Sequence, residues 1–516
     1  MKPFGYGLGP SRAGESARSS GRFVGRGTLR GHHINLRTSR VPDPPSRPQG
    51  DCQENFVVKV NYEPEQAATL DDLNLASAFH RNLIRDTKIT ELRAVQRFML
   101  PYILNPTIKT DLLVVGPTSC GKTYGMLIGV LQHCIHLSVH NAKPSERRPK
   151  VIIIGASQEA VVHVYNLAVN WSDKVGIFVG SAIAGSSSGQ ESNRFMNYGA
   201  DLVISTMGRL HDWVSDNTID VSDVDFVVFD DASTLITCTE FERRWHFLID
   251  RIPDKCRLFT LSSTWADETR YQAKPYIRAG CNEIRIQSTV NEVAPFSLNP
   301  AVEQHFIKVK LIDSILKAIE IIGDHTERPK TAGEKARPPK TVVFTTEPDH
   351  AAMVTDSMRM WDRFHSEKAH FRMNVACVHK GIKSNNRQSL LAAFQNEFEE
   401  TAEGIDVLVA TDHMATGIVA PVDLVINLDF PPDLASFIQR VGRAGRDRYR
   451  GKAFTMIDVW QFDTWSGDKK KALVDVINAT KNVPGCTYPD ELLQLAIAME
   501  MEAREIRSIG CVEVYF

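Results

Sequence analysis

The sequence predicts an α/β protein of two lobes, each a mostly parallel sheet with helices on both faces, behind a basic tail. Short β-branched runs alternate with longer mixed segments over residues 67–287, and the same alternation restarts after Pro300. A stretch with two prolines, Ser288–Pro300, separates the two blocks. Parallel strands covered on both faces read as near-continuous apolar runs, which is the signal seen here. The 516 residues allow two to four domains at roughly 100–200 residues each. A balance of 43% hydrophobic and 24% charged residues excludes a wholly disordered or collagen-like chain.

The first 50 residues hold eight arginines, many Gly and Ser, and only Glu15 and Asp43 as acids. That leaves too little apolar material for a core, so residues 1–66 are expected to be a disordered basic tail. An Arg/Gly nucleic-acid arm, a mitochondrial transit peptide and a plain solvated tail all share this composition. The first lobe, 67–287, carries the predicted strands DLLVVG, KVIIIGA, DKVGIFVG, DLVIST, FVVFDD and CRLFTLSS. The stretch 288–300 is the expected interlobe linker. The second lobe, 301–471, carries KTVVFTT, MNVACVH, IDVLVATD and DLVINLD, with a polar, Pro-rich surface insertion at Gly323–Lys340. Over residues 472–516 an extension includes PDELLQLAIAMEMEAREIRS, whose periodicity predicts a helix with an apolar face, set against the second lobe or a partner.

Net charge is −2, so contact with nucleic acid has to come from local basic surface. The longest apolar runs, Val151–Ala156 and Val224–Phe229, fall far short of the roughly 18–20 residues of a membrane span. Nine cysteines without a CxxC pair point to a reducing compartment, cytoplasm or nucleus, and to no structural metal. The tail keeps the mitochondrion as the minor alternative.

The most specific local signal is Gly116-Pro117-Thr118-Ser119-Cys120-Gly121-Lys122-Thr123, directly after an apolar strand. It satisfies GxxxxGK[ST] in the strand-to-helix setting that gives this pattern its meaning. The loop curls backbone N–H groups around phosphate oxygens, Lys122 supplies a point charge to the outer phosphates, and Thr123 offers a hydroxyl to Mg²⁺. ATP or GTP binding follows. Asp230 ends the apolar run FVVF and is placed to hold the magnesium, with Asp231 beside it to orient or deprotonate the attacking water. Arg443 and Arg446, three apart and read as sharing a helical face, are candidate arginine fingers supplied by the other lobe.

Taken together, the ordered motifs over about Leu70–Met456 resemble those of the DEAD-box ATP-dependent RNA helicases. Gln96 stands for the adenine-reading glutamine, the phosphate loop for motif I, Gly155–Glu159 for motif Ia, and Thr206, Gly208 and Arg209 for motif Ib. The tetrapeptide Asp230–Ser233 falls where the name-giving motif belongs, and Ser262-Ser263-Thr264 where hydrolysis is coupled to RNA. Val342–Thr346, the segment with His379 and Arg387, the run containing Thr411, and Gln439–Arg446 continue the series. The resemblance implies two RecA-like lobes, ATP and Mg²⁺ as cofactors, Ser262 and Thr264 as coupling residues, and an RNA backbone held by Thr206, Gly208, Arg209, Arg387 and Thr411. It implies RNA-stimulated ATP hydrolysis with local duplex separation, in a monomer that protein cofactors can join; a non-hydrolysing ATP-dependent RNA clamp and a DNA translocase are the alternatives.

This chain departs from the family at several positions. Asp231 is one methylene shorter than the usual glutamate, and Ser233 replaces an aspartate that ties the tetrapeptide to the coupling motif. Ser119 stands for a glycine, Cys120 for a serine, Ile89 lies near the place of an adenine-stacking aromatic, Thr416 and Val419 replace an arginine and an aspartate, and Gln439 replaces a histidine.

Overall fold

In the computed structural model, residues 56–510 are described, except 90, 139–147, 183–198, 266, 289–297, 329–334, 366–367, 396–403, 416, 419, 421, 447–449, 482 and 484. Most of the tail, most of the linker and the departures at Thr416 and Val419 therefore lie outside the described residues.

The chain opens with β1 (Phe56–Val60), α1 (Ser77–Thr87), α2 (Ala94–Leu104), β2 (Leu112–Val115) and α3 (Lys122–Ser138). It continues through β3 (Val151–Gly155), α4 (Gln158–Trp171), β4 (Val179–Ala182), β5 (Leu202–Thr206), α5 (Met207–Ser215) and β6 (Phe226–Asp230). The first lobe closes with α6 (Ala232–Ile236), α7 (Phe241–Ile249), β7 (Arg257–Ser262), α8 (Asp267–Ala273) and β8 (Asn282–Ser288). Its eight strands lie in the order β1-β8-β2-β7-β6-β3-β5-β4, parallel except for the antiparallel β1–β8 pair.

The second lobe runs β9 (Val302–Lys308), α9 (Ser314–Asp324), β10 (Thr341–Thr345), α10 (Pro348–His365), β11 (Val375–Val378), α11 (Ser384–Gln395) and β12 (Val407–Thr411). Then come α12 (Asp412–Ala415), β13 (Leu424–Asn427), α13 (Leu434–Val441), β14 (Gly451–Ile457), α14 (Gly467–Thr480) and α15 (Asp490–Gly510). Six parallel strands lie in the order β11-β12-β10-β13-β14-β9.

Strand alternation divides each lobe into two apolar layers. Leu112 and Val114 face one layer with α1–α4, while Leu113 and Val115 face the other with α5–α7. Phe344, Leu408 and Ala410 face the layer holding α13–α15; Val343, Val407 and Val409 face α9 and α10. Every parallel connection leaves a strand at its C-terminal end, so the phosphate loop, Thr206, Asp230 and Ser262 gather along one edge of the first sheet. This is the edge where open α/β sheets bind ligands.

Four sequence expectations need correction. Residues 56–60 of the expected tail form the edge strand β1, paired with β8, and Asn61 is tied to Glu283. DKVGIFVG yields its strand only from Val179 onward, because Ser172–Val175 close the end of α4 in turns. Ser288, placed in the linker, is the last residue of β8. The insertion is not wholly solvated: Gly323 and Asp324 end α9, Arg337 pairs with the buried Asp406 at 2.8 Å, and the buried Lys340 ammonium donates to the Ile405 carbonyl at 2.6 Å.

Candidate active site

The loop after β2 wraps the start of α3. Ser119 and Gly121 hold positive φ values of +63° and +97°, which turn successive backbone N–H groups inward as an anion nest. The buried Lys122 ammonium points back into that nest and donates to the carbonyls of Gly116 at 2.7 Å and Pro117 at 2.8 Å, with Ser263 Oγ at 3.4 Å and Cys120 Sγ at 3.8 Å. A phosphate is the ligand such a nest and its lysine suit. Gln96 is 2% exposed; its amide donates to the Gly121 carbonyl at 3.2 Å and accepts from Arg93 N–H at 2.9 Å. Helix α2 is thereby fastened to the loop, and Gly121 has no room for a side chain, since a Cβ there would lie 2.8 Å from Gln96 Nε2.

Thr123 Oγ1 lies 3.2 and 3.3 Å from the two carboxylate oxygens of Asp230. Desolvation, and then the neighbouring Asp231 charge, push the Asp230 carboxyl up to about 6, while Lys122 opposes the shift. A hydroxyl and a carboxylate are oxygen donors of the kind that suit a hard cation such as Mg²⁺. Asp231 follows with φ +63°, rare outside glycine and common where backbone strain serves a site. Desolvation raises its carboxyl too, against Arg443, Thr234, Lys122 and Ser233.

The second lobe completes this cleft. Helix α13 stops at Val441, so Arg443 and Arg446 do not share a helical face; both come from the turn that follows. Arg443, 5% exposed, donates to the Gln439 carbonyl at 2.9 Å and the Ile418 carbonyl at 3.3 Å. Desolvation and the nearby Arg446 push its guanidinium well down, and Asp231 across the cleft pulls it back up. Arg446 donates to the Gly442 carbonyl at 3.5 Å and faces His163 of α4, whose pKa burial and that charge lower to about 4. Gln439 Nε2 reaches Asp231 at 3.2 Å and Thr234 Oγ1 at 2.7 Å. At Gly442 a Cβ would fall 2.1 Å from Thr118 Oγ1, so the turn seats directly on the phosphate loop.

Residues expected at the RNA backbone divide. Thr206 ends β5 and Thr411 ends β12, the latter buried. Gly208 lets Arg244 approach, since a Cβ there would lie 3.2 Å from its Nη1. The Arg209 guanidinium lies 5.4 Å from the Trp213 ring centre, 4.0 Å from Asp212, and its Nε is buried without a partner among the described residues. Arg387 is a correction. It is 9% exposed and spends its guanidinium on Glu159 Oε1 at 2.8 Å, Gln158 Oε1 at 3.2 Å and the carbonyls of Lys380 and Ile382. It ties the lobes together. Ser262 Oγ donates to the Thr264 carbonyl at 2.6 Å, whereas among the described residues the Thr264 hydroxyl is buried without a partner and the Ser233 hydroxyl reaches Asp231 at 3.5 Å. Among the described residues no bond joins the Ser233 side chain to Ser262 or Thr264.

Sequence reasoning missed the roles of Thr234, Glu159 and Ser263. Thr234 stands three residues after Asp231, the spacing at which side chains meet across the first turn of a helix. Glu159 had no signal of its own, because its partner lies 228 residues away.

A DEAD/DEAH box helicase model matches residues 93–272, and a helicase conserved C-terminal domain model matches residues 317–448, together well over half of the chain. The chain belongs to the DEAD/DEAH box helicase family. Its relatives include the ATP-dependent RNA helicase DBP3 of Eremothecium gossypii, 25% identical over 82% of this chain and 70% of the relative. DBP3 of Saccharomyces cerevisiae is 24% identical over 87% of this chain and 78% of that protein. Among solved structures, Mss116p bound to ssRNA and AMP-PNP superimposes with a TM-score of 0.65 at 20% identity, covering 87% of this chain and 89% of that one. Dbp5 of S. cerevisiae bound to RNA and ADP BeF3 gives a TM-score of 0.62 at 17% identity, over 84% of this chain and 99% of that one. These likenesses establish the two-lobed helicase fold.

Proposed function

We propose that this DEAD-box family member is an ATP-dependent RNA helicase or RNP remodeller that couples ATP hydrolysis to RNA binding and local duplex separation. The observation that carries the proposal is the 3.2 Å contact of Asp231 with Gln439 of the opposite lobe, beside the phosphate loop, with the Arg443 charge near enough to lower the Asp231 carboxyl against desolvation. Gly116–Thr123 cradle the phosphates, Lys122 swings from its loop carbonyls to the outer phosphates, and Gln96 contributes to the adenine side. Thr123 and Asp230 would hold Mg²⁺, which when bound offsets phosphate charge. Asp231 orients the attacking water, and Arg443 with Arg446 stabilises charge on the transferred phosphoryl. Thr206, Gly208, Arg209 and Thr411 face the RNA backbone, whose 2′-OH groups distinguish it from DNA. Ser262 and Thr264 link the two events. The chain acts as a monomer in the cytoplasm or nucleus, with room for protein cofactors; no described helix is long and apolar enough to cross a membrane.

The test is steady-state ATP hydrolysis by wild type and Lys122→Ala, with and without single-stranded RNA. RNA should stimulate the wild type, and Lys122→Ala should lower the stimulated rate on the order of a hundredfold. Wild-type turnover no faster than the variant overturns the hydrolytic reading, and ATP-dependent RNA binding without turnover would make the chain a clamp.

A further inference from the structure

The Asp231 carboxylate sits in a hydrogen-bonded triangle that closes across the two lobes. Thr234 Oγ1 donates to Asp231 Oδ2 at 3.2 Å, and Gln439 Nε2 donates to Thr234 Oγ1 at 2.7 Å and to Asp231 Oδ2 at 3.2 Å. The proton count closes. The single hydroxyl proton goes to the carboxylate, the hydroxyl lone pair takes one amide proton, and the second amide proton goes to the carboxylate. Ser233 Oγ adds a longer contact to Asp231 Oδ1 at 3.5 Å.

Helix capping does not account for this arrangement. Asp231 occupies the N-cap position of α6, where an aspartate normally accepts from a backbone N–H of the first turn, yet its side chain caps nothing. The left-handed backbone at φ +63° turns the carboxylate out of the helix and into the cleft, where the Thr234 hydroxyl substitutes for the missing cap. An aspartate has one methylene less reach than a glutamate, so its direction has to be fixed more tightly to present the same oxygen to a water. A misplacement of about 1 Å in such a group can cost on the order of a hundredfold in rate.

We propose that Thr234 is a positioning residue for the Asp231 carboxylate, fixing the direction in which it meets Gln439 of the second lobe. The inference rests on the hydrolytic reading above. Thr234 touches no reacting atom; it acts through Asp231.

The experiment uses the full chain with saturating single-stranded RNA and varied ATP. Thr234→Val keeps the shape and removes the hydroxyl; kcat should fall roughly tenfold to a hundredfold while the KM for ATP stays within about twofold. Thr234→Ser should recover most of the rate. Gln439→Leu should slow turnover similarly, and adding Thr234→Val to it should cost little more, because residues acting as one unit are not additive. Binding of a fluorescent ATP analogue reports that each variant folds, and Thr234→Ala replaces the valine variant in the comparison with serine if the valine does not. Wild-type turnover in Thr234→Val, a loss that serine does not restore, or strictly additive losses with Gln439→Leu would overturn the positioning role and leave the hydrolytic reading standing. A wild type no faster than Lys122→Ala would overturn both.

Discussion

Ser119 carries a backbone strain that its side chain does not relieve. Its φ of +63° costs an L residue roughly 1–2 kcal/mol, which glycine avoids. The hydroxyl oxygen is also buried without a hydrogen-bond partner among the described residues, a further penalty of about 1 kcal/mol or more. Family resemblance places a glycine here, and the geometry gives the reason: the loop requires the left-handed turn whatever residue occupies it. Ser119→Gly should therefore stabilise the nucleotide-free protein by about 1 kcal/mol after the extra chain entropy of glycine, roughly 0.5–1 kcal/mol, is subtracted. The urea midpoint should rise; an unchanged or lower midpoint would place the strain elsewhere. The same logic applies with opposite sign at Gly121, where φ +97° and the 2.8 Å approach of Gln96 leave no place for a side chain.

At the scale of elements, the start of α2 and the phosphate loop form one unit through Gln96, which satisfies the Arg93 N–H at the helix start and binds the Gly121 carbonyl. Gln96→Ala removes both bonds at a buried position, so the loop should lose order as well as a base contact. ATP affinity should fall roughly tenfold, from about 1–2 kcal/mol of lost hydrogen bonding. Fluorescent-nucleotide titration measures it, and an equal loss for GTP would show that the bonds to the loop, not base recognition, carry the effect. Legibility in the sequence follows the same elements. The central strands β2, β3, β5, β6 and β7 were legible because both faces are covered and the runs are almost wholly apolar. Strands β1, β8, β9 and β14 were missed: β1 and β9 are edge strands, VEQHFIK alternates buried with partly exposed positions, NEIRIQS interleaves Glu283 and Arg285 with the buried Ile284 and Ile286, and GKAFTMI opens on a glycine and a lysine. The phosphate loop and the acids after β6 are contiguous and could be read directly. Arg443 and Arg446 were legible as residues but not as geometry, since the two-glycine turn ends α13 before them.

The whole molecule depends on contacts made only when the two lobes meet, and the buried Arg387–Glu159 pair at 2.8 Å is the clearest of them. Its side chains are 11% and 3% exposed, so removing one partner leaves the other charge desolvated, which typically costs about 3–5 kcal/mol. Gly417 makes the approach possible, because a Cβ there would lie 2.5 Å from the Glu159 Cβ. Two accounts of Arg387 give opposite expectations for Glu159. If Arg387 served an RNA phosphate, neutralising the nearby carboxylate would leave RNA binding unchanged or strengthen it, by removing a competitor for the guanidinium. Because the arginine instead locks the lobes, Glu159→Gln and Arg387→Ala should weaken RNA binding in the same direction, each at least tenfold in the presence of a non-hydrolysable ATP analogue. ATP-analogue affinity measured without RNA should change little, since the phosphate loop lies wholly on the first lobe. Fluorescence anisotropy with a labelled single strand reads both variants, and tighter RNA binding by Glu159→Gln would return Arg387 to the RNA surface.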